Sequence, residues 1–283
     1  MKTVQDGWVE VDGLQIHYLT AGEGDAPVLL LHGGGYDSAS LSYKHVIGPI
    51  SEHHRVFAPD WPGYGESDKP KMEYTTEYYV GFLGHLMDVL GLEKANLVGI
   101  SLGGAISLGF SFQSPQRVEK LVLVDSHGLG GEVPGGVASE ALVRLPLLNK
   151  LVWAALKRSR KMVEWSLQTV LYDPHAITGD LVEEVYQLAK KPGAGQAWRS
   201  WQKNEIGREG LRTNFVERLP TLAVPTLIFH GAEDKYVPVS WALRAHTLLK
   251  DSELQVFPRC GHWLTLERPG EFNRAVLVFL ARE

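Results

Sequence analysis

The sequence has little of several features that define other classes of protein. It contains one cysteine, Cys260, in 283 residues, which excludes an internal disulfide and a metal cage built from several thiolates. No uncharged apolar run is long enough to cross a membrane, and the amino terminus lacks the apolar core and cleavage site of a secretion signal. These absences predict a soluble cytoplasmic protein with no membrane partner.

Charge and nucleotide motifs are equally sparse. The formal net charge is -5, with 28 basic and 33 acidic residues interspersed, which predicts no nucleic-acid partner. No phosphate-binding Gly-Lys-Ser/Thr string occurs, and the glycines Gly33 to Gly35 lack the spacing of a dinucleotide fingerprint. We therefore expect no cofactor and no metal. At this length and 44% hydrophobic residues, the chain can bury one core, with room for an insertion.

One serine stands where an apolar strand pattern changes to a helical pattern. Residues Lys94 to Val98 predict a buried strand, and Leu102 to Gln113 predict a helix. Ser101 lies on the turn between them, in the string Gly-Ile-Ser-Leu-Gly. In a Gly-x-Ser-x-Gly turn the serine is held in a strained conformation, and the glycines let strand and helix pass closely.

Three further stretches accompany this turn. Leu31-His32-Gly33-Gly34-Gly35 precedes it, while His230-Gly231-Ala232-Glu233-Asp234 and Cys260-Gly261-His262-Trp263 follow it. The resulting chain order is serine, acid, histidine, with a glycine-rich turn upstream. With these four motifs in this order, nearly the whole chain resembles the α/β-hydrolase superfamily.

The resemblance assigns roles to the residues of these motifs. Ser101 is expected to be the nucleophile, His262 the general base and then the general acid, and Asp234 the acid that orients it. Some members take the acid from the position of Asp125, which is therefore its rival. The backbone N–H groups of Gly34 and Leu102 are expected to form the oxyanion hole.

The two remaining residues of interest in these motifs have structural interpretations. We expect His32 to hold the glycine-rich loop, and Cys260 to fill space as a small buried side chain.

The expected architecture is the α/β-hydrolase fold, a mostly parallel eight-stranded sheet flanked by helices, with a helical lid inserted after the sixth strand. The predicted division is a core of residues 1–129, a lid of residues 130–217 and a second core part of residues 218–283. An Asp12-Gly13 dipeptide predicts an antiparallel hairpin at the start of the sheet.

The predicted lid is helical and rich in aromatic side chains. Its helices are expected over residues 139–156, 160–172, 181–190 and 196–207, and it carries Trp153, Trp165, Trp198 and Trp201. Aromatic residues on such a segment can wall a substrate pocket above the nucleophile. The substrate pocket is predicted to include Gly35, Trp165, Val185 and Trp263.

Parts of the lid and of the last loop resemble the meta-cleavage-product hydrolases, which cut a carbon–carbon bond in a vinylogous diketo acid. The resemblance lies in residues 170–181 and in residues 260–274. Two positions depart from that family: Ile100 stands where it usually has Asn, and Val185 where a lid arginine would bind the substrate carboxylate. A buried carboxylate without a charged partner is costly, so these departures favour an uncharged substrate.

The sequence therefore predicts a serine carboxylesterase that acts on small uncharged acyl esters. The alternative is a carbon–carbon hydrolase of meta-cleavage type, in which another basic residue such as Arg199 or Arg208 binds the carboxylate. A third hypothesis is a small-molecule receptor that uses the lid as a switch. The partner in each case is a small molecule, an ester or a ketone for the enzymes, and the choice between monomer and homodimer stays open.

Overall fold

A computed structural model describes residues 2–133, 146–207 and 210–282, without the side chains of 146–148. Part of the first predicted lid helix, residues 139–145, and the candidate Arg208 lie outside the described residues. No helix in the described ranges is long and apolar enough to cross a membrane.

The strands are β1 Gln5–Val11, β2 Leu14–Ala21, β3 Val28–Leu31, β4 Val56–Pro59, β5 Ala95–Ile100, β6 Val118–Val124, β7 Ile206–Gly207, β8 Gly210–Leu211, β9 Thr226–Gly231 and β10 Ser252–Phe257.

Eight of these strands form one sheet in the order β1-β2-β4-β3-β5-β6-β9-β10. The pairs β1–β2 and β2–β4 are antiparallel, and the other neighbouring pairs are parallel. Strands β3, β4 and β5 are buried along their whole length, as expected for parallel strands covered on both faces. Because the carboxyl ends of β3, β5, β6, β9 and β10 share one edge of the sheet, the loops that follow them meet there.

Helices pack on both faces of this sheet, and the sheet separates two apolar clusters, one on each face. This is the α/β-hydrolase architecture that the motifs predicted. The helices are α1 Ala39–Tyr43, α2 Ile47–Ser51, α3 Thr76–Val89, α4 Leu102–Gln113, α5 Pro146–Leu156, α6 Arg160–Val170, α7 Gly179–Lys190, α8 Gln196–Glu205, α9 Val239–Leu248, α10 Leu264–Glu267 and α11 Pro269–Leu280.

The chain after the glycine-rich loop forms two short helices, α1 and α2. The Ser38 side chain accepts a hydrogen bond from Leu41 N, so α1 starts at Ala39. Pro49 has no N–H to donate, so it fits only in the first turn of a helix, and a new helix begins at Ile47.

The segment between β6 and β9 holds α5, α6, α7, α8 and the small β7–β8 ribbon. Helix α6 contacts α5 and α7. On α8, the Trp201 indole donates to Thr76 Oγ1 of α3 at 3.0 Å, which ties this segment to the main body. Its action as a lid, and its boundaries at residues 130 and 217, stay predictions.

Candidate active site

The turn between β5 and α4 carries Ser101 in the strained conformation that the motif predicts. Its backbone has φ 53° and ψ −116°, a region that L side chains occupy only when the surroundings impose it. Ser101 N donates to Val124 O at 2.9 Å, and His127 N donates to Ser101 O at 3.1 Å. The end of β6 therefore holds the strained residue on both sides.

The two glycines of the turn are required by close backbone contacts. A Cβ on Gly99 would lie 2.3 Å from Gly103 O, and a Cβ on Gly103 would lie 2.0 Å from Leu31 O. Real Cβ atoms do not approach backbone that closely, and neither strand nor helix can move away without disturbing the core. The motif therefore needs glycine at both positions, because β3, β5 and α4 pack too closely there to leave room for a side chain.

Replacing Gly103 with Ala is expected to lower the free energy of unfolding by about 3 kcal/mol, the upper end of the cost of overpacking. Urea denaturation measures it. Gly270→Ala is the matched control, because a Cβ on Gly270, in the first turn of α11, meets nothing within 4 Å. An equal effect of the two substitutions would contradict the steric interpretation.

Asp234 and His262 come together at the carboxyl ends of β9 and β10. His262 Nδ1 lies 2.7 Å from Asp234 Oδ2, and the Asp234 side chain is fully buried. Asp234 Oδ1 accepts hydrogen bonds from the N–H groups of Tyr236 and Val237 at 2.7 and 3.0 Å. The carboxylate is therefore saturated with donors and fixed in orientation, which leaves Nε2 of His262 as the nitrogen able to exchange a proton.

Asp234 and His262 each shift the pKa of the other. Burial lowers the pKa of His262, but the adjacent Asp234 carboxylate outweighs it and raises that pKa to about 8. Burial acts to raise the pKa of Asp234, but His262 reverses this and holds it below its usual value. The pair is built to stabilise an imidazolium beside a carboxylate.

Activity is therefore expected to rise with pH through a group near pH 8. His262 must be neutral to accept a proton from Ser101, and its raised pKa delays that state to higher pH. Below the pKa, kcat/KM should fall about tenfold per pH unit. A profile of kcat/KM that stays flat from roughly pH 6 to 9, across the range where histidine titrates, would exclude this role.

Asp125 lies at the end of β6, close to Asp234. One carboxylate oxygen of each, and a ring nitrogen of His230, lie within 4.8 Å of one another. Burial, reinforced by the Asp234 charge, raises the pKa of Asp125 well above its usual value. His262 Nδ1 makes its 2.7 Å contact with Asp234, and this geometry supports the prediction that Asp234, not Asp125, is the triad acid.

Among the described residues these three side chains form a group whose spacing could hold a metal ion. Both oxygens of Asp234 already accept hydrogen bonds, from His262 and from two backbone N–H groups. A metal would have to displace the bond that orients His262, so we assign no metal to this group.

The glycine-rich loop after β3 lies beside the serine. A Cβ on Gly33 would be 3.3 Å from Ser101 Cβ, and Gly33 N donates to Asp37 Oδ2 at 2.7 Å. The N–H of Gly33 is thus occupied, and Gly34 is the next donor along the loop. Leu102 is the first residue of α4, where no intrahelical partner exists for its N–H. These positions support the proposal that Gly34 and Leu102 stabilise an oxyanion.

His32 has the structural role expected of it. Its Nε2 accepts from Trp61 N at 3.1 Å, its Nδ1 lies 2.8 Å from Gly33 O, and Trp61 Nε1 donates to His32 O. These bonds attach the glycine-rich loop to the loop after β4. Cys260 is fully buried, as a space-filling side chain should be.

The tryptophans of the segment between β6 and β9 differ in exposure and in their distance from the glycine-rich loop. Trp165 is 59% exposed, because α6 turns Val163 and Leu167 inward instead. The ring of Trp198 lies against the glycine-rich loop, where a Cβ on Gly34 would be 2.2 Å from it. Trp198, stacked on Trp201 with 4.8 Å between ring centroids, is therefore the better candidate for a pocket wall.

Gly35 and Trp263 lie near the loop, and Val185 is packed into the apolar interior. Gly35 lines a narrow cleft together with Tyr36 and Asp37, and the Trp263 ring lies 6.1 Å from that of Tyr36. Val185 on α7 is 0% exposed, in the same apolar cluster as Trp263. The contacts of Asp37 and Ser42 with this region were not foreseen, since nothing in their sequence spacing marks them.

The family follows from comparison with known proteins. A family profile described as alpha/beta hydrolase fold matches residues 26–269. The chain belongs to the α/β-hydrolase family. It is 32% identical over 283 residues to 2-hydroxy-6-oxo-2,4-heptadienoate hydrolase of Pseudomonas putida, covering 96% of this chain and 94% of that protein. It is 35% identical over 276 residues to 2-hydroxy-6-oxononadienedioate/2-hydroxy-6-oxononatrienedioate hydrolase of Comamonas testosteroni, covering 96% and 93%.

A solved structure gives the same relationship. The meta-cleavage product hydrolase of Pseudomonas fluorescens IP01 superposes with a TM-score of 0.83 at 30% identity, and the alignment covers 97% of each chain. The chain is thus a hydrolase whose relatives are named for meta-cleavage products.

The prediction of a carboxylesterase is wrong on this comparison. The similar proteins are named as hydrolases of 2-hydroxy-6-oxo-dienoates, the class in the alternative hypothesis. A serine, a histidine, an acid and an oxyanion hole serve either reaction, so the motifs could not separate them. The choice of an ester depended on Ile100 and Val185 alone, and two positions are weak evidence against similarity along the whole chain.

Proposed function

We propose that the protein hydrolyses the carbon–carbon bond beside a ketone in a vinylogous diketone of the meta-cleavage type. The observation that supports this most is the similarity over nearly the full chain to hydrolases of 2-hydroxy-6-oxo-dienoates, combined with the Asp234–His262 pair at the sheet edge where the nucleophile turn also lies.

The first step forms an acyl-enzyme. Ser101 Oγ attacks the C6 ketone carbon of the keto tautomer, and its proton passes to Nε2 of His262. The C6 oxygen becomes an oxyanion, which the N–H groups of Gly34 and Leu102 stabilise in this proposal. Asp234 stabilises the imidazolium that forms, consistent with the raised pKa of His262.

The second step breaks the C5–C6 bond. Its electron pair leaves with C5 and is delocalised through the C3–C4 double bond onto the C2 carbonyl oxygen, and His262 returns the proton to this leaving group. Water, activated by neutral His262, then hydrolyses the acyl-enzyme and regenerates Ser101. The sum is one water consumed, one carboxylic acid and one 2-hydroxydiene released.

The test uses 2-hydroxy-6-oxo-6-phenylhexa-2,4-dienoate and the same compound with its C1 carboxylate replaced by a carboxamide. Both keep the scissile bond and release benzoate, which chromatography quantifies. We expect multiple turnovers of at least one compound, and none with Ser101→Ala. Absence of benzoate above the Ser101→Ala level from both compounds would refute the carbon–carbon hydrolase function.

A further inference from the structure

Glu205 is a buried carboxylate that the proposed reaction does not use. It ends α8 and is 4% exposed. Its Oε1 accepts hydrogen bonds from His127 Nε2 at 3.1 Å and from Thr213 N at 2.8 Å, and its Oε2 accepts one from Thr213 Oγ1 at 2.6 Å. Burial acts to raise the pKa of Glu205, but the bonds from His127 and Thr213 outweigh it and hold that pKa below its usual value. The side chain is therefore an anion, and since a buried charge seldom adds net stability, its main effect is to orient the groups around it.

The Glu205 carboxylate fixes the direction of the hydrogen bonds behind it, because an ionised carboxylate can only accept. Thr213 has one hydroxyl proton, which goes to Glu205, so Thr213 Oγ1 is the acceptor in its 2.7 Å contact with Thr76 Oγ1. Thr76 Oγ1 in turn accepts from Trp201 Nε1 at 3.0 Å. The donors thus run in one direction, from the Trp201 indole through two hydroxyl groups to the carboxylate.

The same carboxylate holds Trp201 from a second side. The His127 ring, whose Nε2 donates to Glu205, packs on the Trp201 ring in a T-shaped arrangement with 5.1 Å between centroids. The backbone N–H of His127 donates to Ser101 O at 3.1 Å, so this arrangement lies beside the nucleophile turn. Two different groups that contact Trp201 are therefore both held by Glu205.

The two stacked tryptophans of α8 reach the glycine-rich loop. The ring of Trp201 is stacked on that of Trp198, one helical turn earlier, with 4.8 Å between centroids. Trp198 lies so close to Gly34 that a Cβ there would be 2.2 Å from its ring. Gly34 is a proposed oxyanion donor, and a backbone N–H stabilises developing charge only where it is held in position beforehand. A continuous series of contacts thus joins Glu205 to the loop that would stabilise the oxyanion.

We propose that Glu205 is a positioning residue, whose charge holds Trp201 and Trp198 in place and so keeps the N–H of Gly34 directed at the reacting oxygen. This inference deepens the proposed function and rests on its oxyanion step, to which it adds a residue that acts only through its neighbours. It predicts that loss of the charge lowers the rate at Ser101 only while the Trp198 ring is present.

Labelling of Ser101 by a fluorophosphonate probe measures this effect without a dienoate substrate. Glu205→Gln keeps the shape of the side chain and removes its charge, and the amide nitrogen cannot accept a hydrogen bond, so at least one present donor loses its partner. We expect the rate constant for labelling to fall by about tenfold or more, since a misplacement of about 1 Å can cost about a hundredfold. A smaller fall overturns the inference.

A double-mutant cycle separates positioning through Trp198 from general destabilisation. Trp198→Ala removes the ring that lies on Gly34, so adding Glu205→Gln to this variant should change the labelling rate constant by less than about threefold. Losses at sites that do not interact would instead multiply. A fall of the same size with and without the Trp198 ring would overturn the inference, because Glu205 would then act by another route.

Thr76 offers a second pair of variants, which decides the matter if Glu205→Gln does not fold. Thr76→Val keeps the shape of the side chain but removes the hydroxyl between Trp201 and Thr213, whereas Thr76→Ser keeps the hydroxyl. Thr76→Val should lower the labelling rate constant by about threefold or more, the factor expected from one neutral hydrogen bond, and Thr76→Ser should leave it unchanged. Circular dichroism and thermal unfolding establish that each variant folds. Equal rate constants in the two Thr76 variants contradict the inference.

Benzoate release separates the failure of this inference from the failure of the proposed function. If labelling follows the cycle but the unmodified protein releases no benzoate from the 6-phenyl dienoate or its carboxamide, the inference stands and the carbon–carbon hydrolase function fails. If benzoate is released but Glu205→Gln leaves labelling unchanged, the function stands and the inference fails.

Discussion

Ser101→Ala is expected to reduce kcat for carbon–carbon cleavage by roughly 10³- to 10⁶-fold, the range found when a nucleophile that acts as a unit with its base is removed. The substitution deletes only Oγ, the atom that attacks the ketone. It should also abolish labelling by a fluorophosphonate probe. Stopped assays of benzoate release, run long enough to detect the residual rate, measure the loss.

Stability measurements separate this loss from misfolding. Ala retains the Cβ of Ser101 and so retains the strain at φ 53°, and its melting temperature should match that of the unmodified protein. Ser101→Gly should be equally inactive but more stable than Ser101→Ala by about 1 kcal/mol, because glycine tolerates this backbone conformation. Labelling of the Ala variant at another serine, with undiminished turnover, would remove Ser101 from the mechanism.

The nucleophile turn could be predicted because its determinants are local. A strand pattern, two glycines and a helical pattern within 20 residues imply the close approach of Gly99 to Gly103 that the structure shows. The order of the motifs then places Asp234 and His262 at the same sheet edge, since parallel strands end together. The nucleophile turn and the placement of Asp234 and His262 depend on short segments and on strand order, and both can be recognised from sequence patterns.

The contacts around the site join residues that are distant in the chain, and sequence patterns do not predict such contacts. Asp37 collects hydrogen bonds from its own loop and from Ser42 on α1, and Trp263 reaches Ser42 from the other end of the chain. Which lid tryptophan meets Gly34 depends on how α6 and α8 rotate on the core, and four tryptophans were available. Helical spacing does disfavour Trp165, since Val163 and Leu167 define the buried face of α6.

The second large loss of activity is expected when Asp234, the predicted triad acid, is replaced. Asp234→Asn is expected to lower kcat/KM by about 10³- to 10⁴-fold, as when the acid of a serine triad is made neutral. The 2.7 Å bond from Asp234 fixes the tautomer of His262 and stabilises its protonated form, and an amide can do neither reliably. Without the carboxylate, the pKa of His262 should also fall from about 8, moving the residual pH profile to lower pH.

Asp125→Asn is the matched control, with the same substitution a few ångströms away. Asp125 Oδ1 accepts from Gly231 N at 2.8 Å, and an asparagine oxygen can keep this bond. Burial and the Asp234 charge together raise the pKa of Asp125, which favours its neutral form, and asparagine is neutral as well. We expect kcat/KM to change by less than about threefold, within the small range of substitutions that remove no interaction. If Asp125→Asn instead abolished activity while Asp234→Asn retained it, the acid would belong to β6 and the role of Asp234 would be limited to holding the turn after β9.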